Sequence, residues 1–161
     1  MRIAVMGTGG MGGFYGGKLA LTGQDVTFIA RGAHLAAMKA DGLRLIGPDG
    51  DFVIEPTKAT DDPATIDGPV DAVLFCVKLY DAEAAAELIR PIVGDETQVI
   101  SLMNGVDGPA RIAEVLGKGH VVGGAAYDSA TIRGPGLVEY RNGPHRLIFG
   151  ALSGANHPMT Q

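Results

Sequence analysis

Apolar residues recur along this chain in two periods. Short continuous runs alternate with longer stretches at helical spacing. Ile3-Ala4-Val5-Met6 is a short run closed by glycine, which predicts a strand over 2–6. A helix is predicted over 11–22, ending near Gly23, then a strand over 25–30 and a short helix over 32–40, ending at Gly42. Leu43-Arg44-Leu45-Ile46 and Asp51-Phe52-Val53-Ile54 flank Gly47-Pro48-Asp49-Gly50, the pattern of a hairpin. Val70 to Val77 is nearly all apolar, as in a strand buried on both faces. Asp81 to Arg90 is alanine-rich and helical, stopped near Pro91. Further elements are a strand over 99–103, a helix over 109–116 and a strand over 120–127. Leu137-Val138-Glu139-Tyr140 and Arg146-Leu147-Ile148-Phe149 bracket Asn142-Gly143, which reads as a second hairpin. The alternation predicts an α/β fold of Rossmann type, a doubly wound, mostly parallel sheet with helices on both faces. Residues 1–150 form the expected domain, and 151–161 read as a linker or chain end.

Composition narrows the function classes. The 161 residues amount to one domain, and 46% hydrophobic content supplies a proper core despite 25 glycines. Net charge is −5, which argues against nucleic acid as a partner. No stretch of 18 uncharged apolar residues is present, so a membrane span is not expected. The chain enters its first strand at once, leaving no room for a signal peptide, and its single cysteine, Cys76, fits a reducing compartment. The expected location is cytoplasmic. Cys76 lies inside an apolar run and reads as a small buried residue rather than a nucleophile.

Gly7-Thr8-Gly9-Gly10-Met11-Gly12 follows the first strand and opens the first helix. In that context the spacing is the dinucleotide-binding fingerprint. Gly7 permits the tight turn, Gly9 lets backbone approach a pyrophosphate, and Gly12 lets the helix pack on the strand. The helix N-terminus then offers N–H groups and a partial positive charge to the phosphates. At the end of the second strand, where an acidic residue holds the ribose of NAD, stands Ala30-Arg31, while Asp25 sits at the strand's other end. A guanidinium cannot accept from a ribose hydroxyl but can pair with the 2′-phosphate of NADP. Lys78 and Asn104 each follow a buried strand directly, the position where open sheets place ligands. The lysine suits phosphate or carboxylate, and the asparagine amide suits a hydroxyl or carbonyl.

No competing chemistry is written in the chain. His34, His120, His145 and His157 are scattered, none at metal-ligand spacing, so no metal site is expected. Ser101 and Ser129 lack a nucleophile context, and Asp61-Asp62 and Asp95-Glu96 read as solvated loop pairs.

Taken in order, residues 7–13, Ile29-Ala30-Arg31-Gly32, Val77-Lys78-Leu79-Tyr80-Asp81, Leu102-Met103-Asn104-Gly105-Val106, Gly134-Pro135-Gly136 and Ile148-Phe149-Gly150 resemble the N-terminal half of the 2-dehydropantoate 2-reductase (ketopantoate reductase) family. The resemblance implies NADPH-dependent reduction of ketopantoate to pantoate, on the route to pantothenate and coenzyme A. It implies that Gly7, Thr8, Gly9, Gly10, Met11 and Gly12 bind the pyrophosphate and that Arg31 meets the 2′-phosphate. Lys78 and Asn104 would face cofactor and substrate, and Ala130 the nicotinamide. It further implies a helical second domain outside this chain, supplying the proton-donating lysine, so that no catalytic acid is expected here. The expected partners are a small 2-oxo acid and, for the full-length protein, a second copy of itself. Two departures stand out: Asn104-Gly105-Val106-Asp107-Gly108 replaces the family's Asn-Gly-x-Gly, and Tyr140 stands where many members carry histidine. The alternatives are reduction of another 2-oxo acid and a non-catalytic NAD(H)-sensing domain. Arg31 argues against the second, because such domains need an acidic residue there.

Overall fold

The computed structural model describes residues 1–152. The strands are β1 (Arg2–Met6), β2 (Asp25–Ile29), β3 (Leu43–Gly47), β4 (Gly50–Ile54), β5 (Lys58–Thr60), β6 (Ala72–Phe75), β7 (Gln98–Ser101), β8 (Val121–Ala126), β9 (Ala130–Gly134), β10 (Leu137–Tyr140) and β11 (Leu147–Ala151). The α-helices are α1 (Gly10–Leu21), α2 (Gly32–Asp41), α3 (Ala82–Ile89) and α4 (Gly108–Leu116). A seven-stranded sheet has the order β11-β8-β7-β6-β1-β2-β5, parallel except for the edge pair β11–β8. A smaller sheet, β4-β3-β10-β9, lies beside it.

Each face of the large sheet closes a core. On one face Ala4, Val73, Phe75 and Val99 pack with Ala82, Ala86 and Ile89 of α3 and Ile112 of α4. On the other Ile3, Val5, Phe28 and Leu74 pack with Phe14 of α1, Met38 of α2, and Leu45 and Val138 of the small sheet. Helix α1 therefore lies between two sheets, and its glycines explain how. A Cβ on Gly12 or Gly16 would strike Val5 at 3.0 and 2.6 Å, on the side of the large sheet. One on Gly13 or Gly17 would strike Val138 at 2.8 Å or Leu45 at 2.7 Å, on the side of the small sheet. Two glycine stripes, each spaced by one turn, let both sheets close on the same helix.

The first hairpin forms as expected, with Leu45 paired to Phe52 and Gly47 to Gly50. The second does not. β10 pairs antiparallel with β9 across Pro135-Gly136 and parallel with β3, whereas β11 pairs with β8 in the large sheet. Asn142-Gly143 thus connects two sheets. Alternation around an Asn-Gly dipeptide marks a local turn, but here the small sheet's need for a partner to β3 decides the pairing. The strand β5, only Lys-Ala-Thr, carries no apolar run and is legible only from its pairing with β2. β11 extends to Ala151, one residue past the expected boundary, and residues 153–161, His157 among them, lie outside the described residues.

Candidate dinucleotide-binding site

The strand order reverses at β1, with β2 leaving to one side and β6 to the other. Open α/β sheets bind ligands in the crevice at that reversal, beyond the carboxyl ends of the strands. Register brings those ends level, since Met6 is opposite both Ile29 and Phe75, and Ile29 is opposite Thr60. A crevice of about 470 Å³ opens there, walled by the glycine loop, Arg31, His34, Asp61, Cys76, Lys78, Tyr80, Asp81 and Ile132.

The loop's glycines do different work. Gly7 has φ +90°, and a Cβ there would meet Val77 at 2.9 Å, so the turns leaving β1 and β6 touch. Gly12 approaches the Gly7 carbonyl so closely that a Cβ would lie 2.3 Å from it. A Cβ on Gly10 would lie 2.1 Å from the Ala130 carbonyl, where β9 starts across the helix end. At Gly9 a Cβ would meet nothing within 4 Å. Protein packing therefore requires Gly7, Gly10 and Gly12, while Gly9 faces open space. Thr8 is spent internally: its backbone N–H and its buried hydroxyl both donate to the Ile29 carbonyl, at 3.2 and 3.1 Å.

The N-terminus of α1 has no side-chain cap and no acidic residue in its first turn. Its first internal bond runs from the Gly13 N–H to the Gly9 carbonyl at 2.8 Å. The N–H groups of Gly10, Met11 and Gly12 precede that bond and have no helical acceptor. With the open space at Gly9, these donors fit a pyrophosphate.

The expected residues are only partly gathered. Gly7, Thr8, Gly9, Arg31 and Lys78 line the crevice, whereas Gly10, Met11, Gly12, Asn104 and Ala130 do not. Asn104 is exposed three residues beyond β7, further along the same sheet edge, and Ala130 lies behind the glycine loop. The Arg31 side chain is 89% exposed, and its Nη2 stands 3.8 Å from Asp81 Oδ2. Asp61 follows β5, which pairs with β2, so the loop pair read as idle brings a second carboxylate to the crevice. Asp62 caps the following turn through the Ala64 N–H.

Sequence reasoning also missed His34. Its Nδ1 accepts from the Gly136 N–H at 3.0 Å, and its buried Nε2 has no hydrogen-bond partner. Burial holds this imidazole below its ordinary pKa, against the opposing pull of the Thr8 backbone. Spacing gave no hint of it, because Gly136 arrives from 102 residues away. Cys76 is half-buried in the crevice wall, and burial pushes its thiol up to about 12, which leaves it protonated near neutrality. Among the described residues, no cluster of three metal-ligating side chains occurs, and no helix is long and apolar enough to cross a membrane.

Residues 3–154 match the family model described as ketopantoate reductase PanE/ApbA. A 2-dehydropantoate 2-reductase from Mesorhizobium japonicum is 32% identical over 96% of this chain and 53% of its own length. An uncharacterized oxidoreductase from Bacillus subtilis is 28% identical over 96% of the chain and 50% of that protein. The crystal structure of 2-dehydropantoate 2-reductase from Geobacter metallireducens superposes with a TM-score of 0.91 at 32% identity, covering 99% of this chain and 52% of that one. The chain spans about half the length of the curated relatives it matches. The glycine loop at the sheet's reversal point and the match along almost the whole sequence place this chain in the ketopantoate reductase family, a family of oxidoreductases.

Proposed function

We propose that this chain is the NADPH-binding half of a reductase that converts 2-dehydropantoate (ketopantoate) to pantoate, a step of pantothenate and coenzyme A biosynthesis. The observation that carries the reading is Gly9, the loop glycine that packing does not require, set at an uncapped helix end beside the Arg31 crevice. A bound nicotinamide dinucleotide would supply the hydride. The residues of this chain bind and orient. The N–H groups of Gly10, Met11 and Gly12 would hold the pyrophosphate, and Arg31 the 2′-phosphate. Lys78, on the crevice wall, would meet a cofactor phosphate or a substrate carboxylate. Asn104 would orient a hydroxyl or carbonyl from further along the edge, with Ala130 on the nicotinamide side. The proton for the developing alkoxide is assigned to a lysine of the helical second domain. Reduction of another 2-oxo acid is the second reading, favoured by the match to an oxidoreductase whose substrate its name does not give.

The test has two parts. Calorimetric titration of this chain with NADPH should show binding, and its absence would remove the cofactor reading. NADPH oxidation is then followed with ketopantoate and with other 2-oxo acids, using this chain and the full-length product of its gene. Turnover of ketopantoate by the full-length product, and little or none by this chain, is expected, because general acid catalysis contributes about 10²–10⁴-fold. Preference for a different 2-oxo acid would overturn the substrate and keep the cofactor. Equal rates from both proteins would put the acid within these residues.

A further inference from the structure

The charge opposite Arg31 bears on cofactor choice. The guanidinium is 89% exposed, and its nearest charged neighbour is Asp81 Oδ2 at 3.8 Å. Asp81 closes the turn after β6, with its N–H donating to the Lys78 carbonyl at 2.9 Å, and stands at the head of α3. Its side chain caps no backbone N–H there, so the local fold does not occupy the carboxylate. Asp61 lines the same crevice from the opposite side, beyond β5. The cation suited to a 2′-phosphate is thus already met by a carboxylate.

Resting on the cofactor reading above, we propose that Asp81 is a specificity-setting residue that competes with the 2′-phosphate of NADPH for the Arg31 guanidinium. A phosphate monoester carries about −1.5 to −2 charge at neutral pH. It takes the guanidinium from a carboxylate of unit charge and leaves that carboxylate unpaired beside it. A 2′-hydroxyl demands nothing of Arg31, so NADH binds without breaking the pair. Asp81 therefore narrows the margin by which NADPH is preferred. Both groups are well exposed, so the effect is that of a surface ion pair, about three- to fivefold in affinity.

The experiment measures dissociation constants of NADPH and NADH by calorimetry for the wild-type chain, Asp81→Asn, Arg31→Gln and the double variant. Asparagine is as good as aspartate at a helix start, so the fold should hold, and circular dichroism checks it. Asp81→Ser, a second capping residue, must shift the constants in the same direction. The expected result is a rise of about three- to fivefold in the ratio of the NADH to the NADPH dissociation constant in Asp81→Asn. On the Arg31→Gln background the same change should move the ratio less, because the contested cation is gone. An unchanged ratio in Asp81→Asn overturns the inference. So does an equal shift with and without Arg31, which would mean simple repulsion of the phosphate. A wild-type chain that binds neither dinucleotide would fail the cofactor reading itself, whereas wild-type NADPH binding with no effect of Asp81 fails this inference alone.

Discussion

His34 on α2 accepts a hydrogen bond from the Gly136 N–H at 3.0 Å, tying the turn between β9 and β10 to the rim of the crevice at the sheet's reversal point. An imidazole can accept at Nδ1 only while that nitrogen is unprotonated. Its pKa is lowered by burial, so the folded protein disfavours the imidazolium more than the unfolded chain does. The stability this bond contributes is present above the ordinary histidine pKa near 6.5 and is lost as pH falls through the lowered folded value. Replacing His34 with leucine should cost about 1 kcal/mol at pH 7.5. The gap between wild type and variant should close as the pH is taken to 5, as read by urea unfolding. A gap that holds constant across that range would mean that His34 contributes packing alone.

Gly9 and Gly10 should part company on mutation. A Cβ at Gly10 would lie 2.1 Å from the Ala130 carbonyl, a backbone atom that cannot swing aside. Gly10→Ala should therefore destabilise the fold by about 1–3 kcal/mol, visible as a lower melting temperature. At Gly9 a Cβ meets nothing within 4 Å, so Gly9→Val should fold nearly as well as wild type and lose dinucleotide binding. Circular dichroism beside calorimetry separates the two. NADPH binding by a folded Gly9→Val protein would put the ligand elsewhere.

Arg31 should set the cofactor preference. Its guanidinium is mostly exposed, so its contribution belongs near the low end of the range for charge-assisted hydrogen bonds. NADPH should bind about tenfold more tightly than NADH, and Arg31→Asp should erase or reverse that margin. Equal affinities in the wild type would refute the role of Arg31.

Tyr140 should matter more than a core aromatic ring. It is 2% exposed, its hydroxyl donates to Asp49, and Lys18 Nζ reaches that hydroxyl at 3.1 Å and Asp49 at 2.6 Å. Lys18 also stands 4.6 Å from the ring centres of both Tyr140 and Phe52. This network pins α1 to the β3–β4 hairpin and β10. Hydrogen bonds from Lys18, then Tyr140, hold the Asp49 carboxyl down at about 2. A carboxyl lowered in the fold stabilises above its ordinary pKa near 3.8 and ceases to do so as pH falls toward 2. Tyr140→Phe should cost about 1 kcal/mol at neutral pH, and part of that difference should disappear below pH 3. Chemical unfolding at pH 7 and pH 2.5 checks it. An undiminished difference at pH 2.5 would separate Tyr140 from the Asp49 charge.

Legibility followed the range of the interactions. The glycine loop, its flanking strand and helix, the buried run at 70–77 and the first hairpin follow from local periodicity and turn chemistry, and all sit where the pattern puts them, although the strand in the buried run is only Ala72–Phe75. Arg31 at the end of β2 could be placed by counting along the chain. Tertiary structure decided the rest. The glycines at 13 and 17 look like helix weaknesses in the sequence, and only the second sheet shows them to be contact surface for Val138 and Leu45. The strand after Asn142-Gly143 joins β8 rather than β10, because pairing is settled by which edges are free, and no local pattern records that. Asp61, Asp81 and His34 reach the crevice through β5, a turn and a contact between distant segments, each lacking a period to betray it. The sequence by itself determined that a dinucleotide-type loop stands at the head of an α/β sheet. The charges that share the crevice with Arg31 were decided only by folding, because Asp61 follows β5 while Lys78 and Asp81 follow β6, and register brings those strand ends level with that of β2.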